Sequence, residues 1–364
     1  MITIKHPIEF PNTYPLDRIG PLKDLLFFDI ETTGFSGETS QLYLIGCTYF
    51  DGFGWKLIQW FADTRQAEKE LLDSFFEFLK RFKILIHFNG DRFDIPYLLK
   101  CCERLGLDYH FDDLISIDIF KKIKPYRKLE NMKQKSIEQF LGVHREDKYN
   151  GGQLIDVYRE YLHTHEKFLF DLLILHNADD LRGMPSILPI LNYADLFESD
   201  FTLCSHKLYS YTDEAGYSHP FVNLLWESPY SVPIPLEYTL NPLSLELHDN
   251  CLACNLTLYE GTLKYFYPDY QNYYYLPLED TAIHKSIGEY VDRSARKKAT
   301  AKNCYSKKEG LFLPQFGSLW EPSFKEEYKS SLTYTLYDDK TLWNDTVKNS
   351  HYAHEIFNYL TGQL

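Results

Sequence analysis

The sequence predicts an α/β domain with a mixed five-stranded sheet flanked by helices, followed by a mostly β, Tyr-rich domain. Over residues 24–195, strand-like and helix-like segments follow the order of three strands, helix, strand, helix, strand and then helices. Over residues 196–364, short alternating segments rich in Tyr are separated by Pro and Gly turns. Residues 1–23 contain four prolines and are expected to form an irregular N-terminal arm.

The first three strands are expected at 24–30, 41–50 and 54–61. Leu25-Leu26-Phe27-Phe28 is a continuous apolar run, which is typical of a buried strand. The turn Asp51-Gly52-Phe53-Gly54 suits a hairpin between the second and third strands. Hairpin-linked strands pair antiparallel, whereas strands that enter through helical crossovers pair parallel, so we expect a mixed sheet.

The later elements are read from apolar spacing. A cap at Asp63 or Thr64 opens a helix that runs to about Arg81, with apolar residues at helical spacing. The remaining predictions, in chain order, are a strand at 84–86, a helix at 95–105, a strand at 114–119, helices at 131–141, 153–163 and 166–193, and helices near 280–298 and 340–361 in the second domain.

Composition limits the class of protein. The 364 residues are 44% hydrophobic and 25% charged, which suits two soluble globular domains. No stretch approaches the roughly 18 apolar residues of a membrane span, and the first ten residues lack the apolar core of a signal peptide. Seven Cys at irregular spacing do not suggest a disulfide framework, so the cytoplasm is the expected compartment.

The net charge of −14 means that the protein as a whole does not attract polyanions. A nucleic-acid partner must therefore be held by a local basic patch or by bound cations. Residues 285–308 carry eight Lys or Arg, and Arg296, Lys297 and Lys298 are the predicted phosphate contacts there. A solvated face is the alternative, as it is for a second basic run at residues 121–128.

Two acidic residues end the first strand. Asp29 and Glu31 are two positions apart, so on a strand their side chains point to the same side. Carboxylates that close repel each other, and burying an unpaired charge is costly. A hard divalent cation that takes oxygen ligands removes this cost, so the pair suggests a metal site. A plain turn after the strand is the alternative.

A third acid lies in Asn89-Gly90-Asp91-Arg92-Phe93-Asp94, at a strand-to-helix turn. Asp94 either joins the metal site or only caps the following helix. Asp91 is expected to be solvated. Asn89 and Phe93 are either loop-packing residues or contacts for a bound nucleotide.

A fourth acid lies in His176-Asn177-Ala178-Asp179-Asp180, within a helical pattern. His176 and Asp180 are four apart and therefore share a helix face. A histidine and a carboxylate in this arrangement fit a general base beside a metal ligand. An ordinary ion pair is the alternative.

Together, these motifs resemble those of the DEDD superfamily of ribonuclease H-like 3′-5′ exonucleases. The resemblance rests on Asp29-x-Glu31, Asn89-Gly90-x-x-Phe93-Asp94 and His176-Asn177-x-x-Asp180, and it covers residues 24–195. Two linking segments, 136–142 and 149–152, also resemble the stand-alone bacterial exonucleases of predicted function. The resemblance implies that the mixed sheet has the ribonuclease H-like arrangement.

The resemblance also implies a site for two Mg²⁺ or Mn²⁺ ions. Asp29 would bridge both ions, Glu31 and Asp94 would complete their ligand shells, and Asp180 would bind one ion. Such a pair of ions can activate a water and stabilise the leaving oxygen of a phosphodiester. The expected substrate is a single-stranded DNA or RNA end. The expected substrate contacts in this domain are Thr32, Asn89, Phe93 and Asn177.

His176 departs from the pattern of that superfamily. One branch has a His five residues before the last Asp, and the other has a Tyr four residues before it. Here a His stands four residues before Asp180. Because a histidine ordinarily titrates near neutrality, His176 is a candidate general base. Positioning of water or plain packing are the alternatives.

Several alternatives remain open at this point. The chain could instead be a nucleic-acid binding module with a degenerate site, or a structure-selective endonuclease, since fold does not settle function. Buried thiols are preferred over a zinc site for the second-domain set Cys204, His206, Cys251 and Cys254. Three second-domain tryptophans are expected in the core: Trp226, Trp320 and Trp343.

Overall fold

The computed structural model describes residues 1–126, 131–143 and 151–362. Two residues of the second basic run lie outside the described residues, namely Arg127 and Lys128. The same is true of Tyr149 and Asn150, which belong to the linking segment 149–152. The chain separates into two compact units, Met1–Ala194 and Asp195–Leu364. The first unit carries all three acidic motifs.

One mixed sheet organises the first unit. Its strands are β1 (Ile2–Pro7), β2 (Leu25–Thr32), β3 (Leu42–Phe50), β4 (Trp55–Phe61), β5 (Ile84–His87) and β6 (Ile115–Asp118). Their order across the sheet is β1-β4-β3-β2-β5-β6. Strands β1 to β4 pair antiparallel, and β5 joins β2 and β6 in parallel, which confirms the predicted mixed sheet.

The sheet has six strands, so the predicted count of five was wrong. The additional strand is β1, which lies in the segment expected to be an irregular arm and pairs with β4 from Ile2 opposite Phe61 to Pro7 opposite Lys56. Its side chains alternate between half-buried and exposed. Pro7 is tolerated because it ends a strand at the edge of the sheet, where one backbone N–H is not needed.

Helices flank the sheet. They are α1 (Glu68–Leu79), α2 (Asp94–Leu105), α3 (Ile119–Ile123), α4 (Gln134–Phe140), α5 (Gly151–Thr164) and α6 (Lys167–Ile187). A further helix, α7 (Leu191–Glu198), begins in the first unit and ends in the second. Phe75 of α1 stacks on Phe28, while Asn177 of α6 bonds to Asp29. Phe28 and Asp29 are consecutive on β2 and face opposite sides, so α1 and α6 cover opposite faces of the sheet.

Strand β2 is the centre of this core. The side chains of its run Leu25-Leu26-Phe27-Phe28 are fully buried, as the apolar sequence predicts. The buried run fixes the strand between β3 and β5, so the acids that follow it leave the core at a defined point of the sheet.

The second unit is mostly β, as predicted. Its strands are β7 (Thr202–Thr212), β8 (Ser218–Glu227), β9 (Leu236–Leu240), β10 (Leu243–His248), β11 (Cys251–Thr257), β12 (Tyr259–Phe266), β13 (Tyr273–Leu276), β14 (Thr281–His284), β15 (Lys297–Lys298), β16 (Tyr305–Gln315) and β17 (Thr333–Leu336). They form three sheets, in the orders β7-β8-β11-β10-β9, β12-β16-β17 and β14-β13-β15. The tryptophans Trp226, Trp320 and Trp343 are buried, which confirms that prediction.

The helix predicted near 280–298 was wrong. Between strands β14 and β15 the segment contains one α-helical turn, α8 (Lys285–Gly288), and a separate 3-10 turn (Arg293–Ala295). The turn α8 ends at Gly288, which packs closely against the Tyr274 ring. Asp292 then caps the 3-10 turn by accepting the Ser294 N–H. The second predicted helix is present as α9 (Thr346–Gly362). None of the described helices is long and apolar enough to cross a membrane.

Candidate metal centre

Strand β2 presents Asp29 and Glu31 to the side of the sheet that α6 covers. Asn177 of α6 donates a hydrogen bond of 2.9 Å from Nδ2 to Asp29 Oδ2. His176 Nε2 lies 3.7 Å from Glu31 Oε1. Both carboxylates therefore meet the same helix, as their spacing of two residues on a strand predicts.

Helix α6 adds a histidine and a fourth carboxylate. His176 Nε2 is 3.4 Å from Asp180 Oδ2, one helical turn further on. One potential ligand atom from each of Glu31, His176 and Asp180 lies within 4.8 Å of the other two. The three side chains are only 12, 10 and 24% exposed, so this is a recessed cluster rather than a surface ion pair.

Asp94 is the first residue of α2, directly after the loop that follows β5. It does not cap the helix, because Phe93 holds the N-cap position and no side-chain cap is present. Its carboxylate instead accepts backbone N–H groups, including that of Ile30 between the two β2 acids. The side chain is buried, and burial raises the pKa of Asp94 to about 7.

The four carboxylates act on one another. Burial and the negative charges of Asp180, Glu31 and Asp94 together raise the pKa of Asp29 well above its usual value. Asn177 opposes this shift because it donates a hydrogen bond to the charged form. Clustered, poorly solvated carboxylate oxygens are the donor set that a hard divalent cation prefers, so the residues fit Mg²⁺ or Mn²⁺.

Asn177 lies behind this cluster rather than at its surface. Its side chain is fully buried, and its Oδ1 accepts a hydrogen bond of 2.9 Å from Gln59 Nε2. Gln59 also donates to the Ile174 carbonyl at 3.0 Å. With both ends of its amide engaged, Asn177 orients the Asp29 carboxylate, and its predicted contact with substrate stays a prediction.

Asp29, Gly46 and Gln59 form one row across β2, β3 and β4. Asn177 sits over the middle position, where a Cβ on Gly46 would lie 2.0 Å from its Oδ1. Because Gly46 has no side chain, the Asn177 amide fits above it and bonds to both Asp29 and Gln59. Sequence reasoning missed Gly46 and Gln59, although a glycine and a glutamine inside apolar strands were available signals.

Tyr43 is a further residue that sequence reasoning missed. Its hydroxyl lies 3.4 Å from Glu31 Oε2 and can donate to it. The ring is buried, and both burial and the Glu31 charge raise the pKa of Tyr43, so it stays a neutral donor. The indication of this role in the sequence is slight, since a tyrosine in an apolar strand is ordinarily interpreted as a core residue.

The expected substrate contacts around the cluster differ in their availability. Thr32 uses its hydroxyl to bond the Gly34 carbonyl at 2.7 Å, within the turn after β2. Asn89 adopts φ of 62°, a left-handed conformation that asparagine tolerates. Phe93 is half-buried and meets Phe35 edge to face, and Phe35 is 95% exposed.

A second cluster, His87, Asp91 and Asp118, also brings three potential ligands together. Its polar atoms are already bonded. Gly90 N–H donates to His87 Nδ1, the Ser116 hydroxyl donates to Asp91 at 2.6 Å, and Asp118 accepts the Asn89 N–H at 2.9 Å. Asp91 was expected to be solvated. It is instead only 25% exposed and bonded, and it helps to fix the loop that carries Asp94.

Lys121, from the second basic run, also takes part in this loop. Its Nζ lies 3.2 Å from Asp91 Oδ2. Burial lowers the pKa of His87 below its ordinary value. Because Nδ1 accepts from Gly90, the proton of the neutral ring is on Nε2 and is donated to Ser116.

The predicted phosphate contacts of the second unit lie on or directly before strand β15. Arg296 covers the Tyr274 ring at 4.5 Å and donates to the Gly288 carbonyl, while Lys297 and Lys298 are exposed on β15. Cys204, His206, Cys251 and Cys254 do not come together as a metal cluster in the described chain. His206 instead pairs with Asp339 at 2.9 Å.

Residues 26–192 match the family model described as RNase_H superfamily. This match and the mixed sheet confirm the predicted ribonuclease H-like fold of the first domain.

Parts of the chain are also similar to DNA polymerases. One from Thermococcus kodakarensis is 31% identical over 120 residues, which cover 29% of this chain and 7% of the relative. One from Thermococcus sp. (strain 9oN-7) is 32% identical over 122 residues, or 29% of this chain and 16% of the relative. The chain thus spans less than a fifth of the length of these curated relatives.

Among solved structures, the family B DNA polymerase of Pyrobaculum calidifontis aligns with a TM-score of 0.39 and 13% identity. The alignment covers 68% of this chain and 35% of that chain.

Proposed function

We propose, from the ribonuclease H-like fold of the first domain, that this protein is a metal-dependent nuclease that removes nucleotides from the 3′ end of single-stranded nucleic acid. The observation that carries the proposal is the convergence of acids from three elements, namely Asp29 and Glu31 on β2, Asp94 on α2 and Asp180 on α6. The similarity to DNA polymerases supports a nucleic acid as the substrate. The 3′-5′ direction rests on the resemblance of the three motifs.

Asp29, Glu31, Asp94 and Asp180 would hold two Mg²⁺ or Mn²⁺ ions. When bound, the ions would supply activation of the attacking water and charge stabilisation at the phosphate. The protein would contribute a recessed, preorganised set of oxygens, with Asn177 and Tyr43 fixing two of the carboxylates by hydrogen bonds.

His176 is the candidate group for handling the water proton. It lies between Glu31 and Asp180, at 3.7 and 3.4 Å from their oxygens, and its side chain is 10% exposed. A water held by these carboxylates would lie within reach of the imidazole, so His176 would orient that water or accept its proton.

The aromatic pair Phe35 and Phe93 is the candidate surface for the terminal base. Phe93 directly precedes the ligand Asp94, and Phe35 follows the β2 acids by four residues. An exposed aromatic face beside the site of hydrolysis suits stacking of an unpaired base, which does not depend on its sequence.

The test uses a 5′-labelled single strand, Mg²⁺ or Mn²⁺, and product lengths resolved over time. The expected result is progressive shortening from the 3′ end, and Asp29→Asn or Asp180→Asn should abolish it. Asp179→Asn is the matched control. Asp179 is next to Asp180 but pairs with Arg182 at 2.8 Å, so this variant should retain activity.

Other product patterns would assign the chain differently. Internal fragments from the first time points would identify an endonuclease. Tight binding without cleavage in either metal would indicate a binding module. Full activity in both carboxylate variants would overturn the proposed site.

A further inference from the structure

The small sheet β14-β13-β15 of the second unit gathers positive charge around one tyrosine. Tyr274, on the central strand, stands opposite Ile283 on one side and Lys298 on the other. Residues directly opposite in a sheet share a face, so Lys298 projects on the same face as the Tyr274 ring.

Two more cations lie on that ring. The guanidinium of Arg296 is 4.5 Å from the ring centroid, and the ammonium of Lys285 is 5.8 Å from it. Arg296 is held in place by its hydrogen bond to the Gly288 carbonyl. The ring face thus attracts two cations, and Lys298 lies beside it on the same face of the sheet.

These charges are only weakly neutralised by neighbours: Asp292, whose carboxylate is held by Ser294, is the acid that interacts electrostatically with Arg296. Among the described residues, no carboxylate forms an ion pair with Lys285, Arg296 or Lys298, whereas Lys307 of the same unit pairs with Asp280. Residues 285–302 contain six Lys or Arg against two acids, in a chain of net charge −14. A local excess of positive charge in an acidic protein favours an anionic partner.

Two exposed apolar side chains follow Lys285 closely along the chain. Tyr290 is 91% exposed and Ile287 is 65% exposed, on and directly after the single turn α8. An aromatic ring exposed next to unpaired cations matches the two needs of a flexible single strand, which are neutralised phosphates and a stacking face for bases.

We propose that Lys285, Arg296, Lys298 and Tyr290 form a second binding surface for the backbone and bases of single-stranded nucleic acid. The proposal rests on the proposed nuclease function for its biological sense, but it concerns binding and not hydrolysis. Of the sequence-predicted contacts, it keeps Arg296 and Lys298, and it adds Lys285, because these three cations lie on or beside the Tyr274 ring. It also adds Tyr290, which is exposed two residues after the turn α8.

The test measures the dissociation constant of the full chain for a fluorescein-labelled oligothymidylate of 30 nucleotides in EDTA, over a series of salt concentrations. The charge reversal Lys285→Glu with Lys298→Glu should weaken binding by about tenfold or more and reduce the salt slope by about 1.4, because each phosphate contact contributes about 0.7 on a single strand. Lys329→Glu with Lys340→Glu makes the same change of charge at exposed lysines of the same unit and should leave both quantities unchanged.

Tyr290→Ala separates stacking from charge. It should weaken binding of the oligonucleotide and leave the salt slope unchanged, since it removes no cation. Unchanged binding and slope in the Lys285/Lys298 variant, relative to its control, would overturn the proposal. So would loss of binding to phosphatidylserine vesicles together with an unaltered oligonucleotide affinity, since the surface would then serve a membrane.

Hydrolysis of a small chromogenic substrate, the p-nitrophenyl ester of thymidine 5′-phosphate, separates this proposal from the function proposed above. The Lys285/Lys298 variant should hydrolyse it at the unmodified rate. Loss of that activity in Asp29→Asn, with oligonucleotide binding retained, would support both proposals. Normal oligonucleotide binding by the Lys285/Lys298 variant would overturn only the proposed second binding surface and not the proposed nuclease function.

Discussion

The amide of Asn177 donates a hydrogen bond of 2.9 Å to the carboxylate of Asp29. The oxygen of the same amide accepts a hydrogen bond of 2.9 Å from Gln59. The orientation of the Asn177 side chain is therefore fixed at both ends of its amide. A carboxylate among three others is thereby kept in one position by a neutral donor. The candidate metal centre therefore depends on two buried amides that never meet solvent.

Asn177→Leu is expected to lower metal-dependent hydrolysis by about 10- to 100-fold, which is the usual cost of losing a partner of a metal ligand. The leucine keeps the volume but leaves Asp29 without its donor. Turnover measured against Mg²⁺ concentration should show a higher metal requirement.

Gln59→Leu should act in the same direction with a smaller effect, because Asn177 remains but loses its anchor. The double variant should be no worse than Asn177→Leu alone, since both act through one hydrogen bond. Additive losses in the double variant would show that Gln59 acts on something other than Asn177.

Gly46→Ala tests the close approach of α6 to the sheet. The new Cβ would lie 2.0 Å from Asn177 Oδ1 and 2.5 Å from Leu181 Cδ1, so the helix must shift. We expect a loss of about 1–3 kcal/mol in the free energy of unfolding, as for overpacked cores, together with reduced hydrolysis. Chemical denaturation measures the first effect.

Gly54→Ala is the control for that substitution. Nothing lies within 4 Å of a Cβ at this hairpin position, so stability should change by no more than about 0.5 kcal/mol. An equally stable Gly46→Ala protein would mean that α6 can move away from β3 without cost.

The difference between Asp29 and Gln59 shows what the sequence could predict. Asp29 and Glu31 carry their own signal, because two carboxylates at strand spacing after an apolar run already require an explanation. Gln59 and Gly46 acquire their roles only through the register that aligns them with Asp29, and register is a property of the folded sheet.

The same limit explains two of the errors in secondary structure. Strand β1 is stabilised by pairing with β4, a long-range contact that prolines in the surrounding segment obscure. The turn α8 ends because Gly288 packs on Tyr274, which lies fourteen residues earlier, on strand β13. In both places a tertiary contact decides the structure against the local pattern.

Divalent ions should stabilise the protein against unfolding. Binding to the folded state alone adds about 2.7 kcal/mol when the ion is present at 100 times its dissociation constant. Asp29→Asn should remove this gain while making the metal-free protein more stable, because it relieves the repulsion from Asp180, Glu31 and Asp94. Thermal unfolding with EDTA, Mg²⁺ or Mn²⁺ measures both effects; a gain that survives in Asp29→Asn would place the ion elsewhere.

His176→Ala is expected to lower kcat by about 10²-fold or more, the usual contribution of a positioned proton acceptor. KM for an oligonucleotide should change little, since the side chain is 10% exposed and faces Glu31 and Asp180. His163→Ala, at an exposed position of α5, is the control and should match the unmodified protein. A change confined to KM would assign His176 to substrate binding.

His87 should make stability depend on pH. Its ring is buried, and burial lowers its pKa below the ordinary value of 6.5, while Asp91, Asp118 and Lys121 are the charged groups around it. Above pH 6.5 the ring is neutral in both the folded and the unfolded chain, and its contribution to stability is complete. Below that pH the unfolded chain takes up a proton that the folded protein does not, so the free energy of unfolding falls as the pH decreases.

One proton limits this fall to about 1.4 kcal/mol per pH unit. His87→Asn keeps an acceptor for the Gly90 N–H but cannot titrate, so its free energy of unfolding should change less between pH 8 and pH 5.5, as measured by urea denaturation. His110→Asn, at a side chain that is 63% exposed, should keep the unmodified pH dependence. If His87→Asn and the unmodified protein lose the same stability at low pH, His87 takes up its proton in the folded state and the loop before Asp94 is not held by a neutral imidazole.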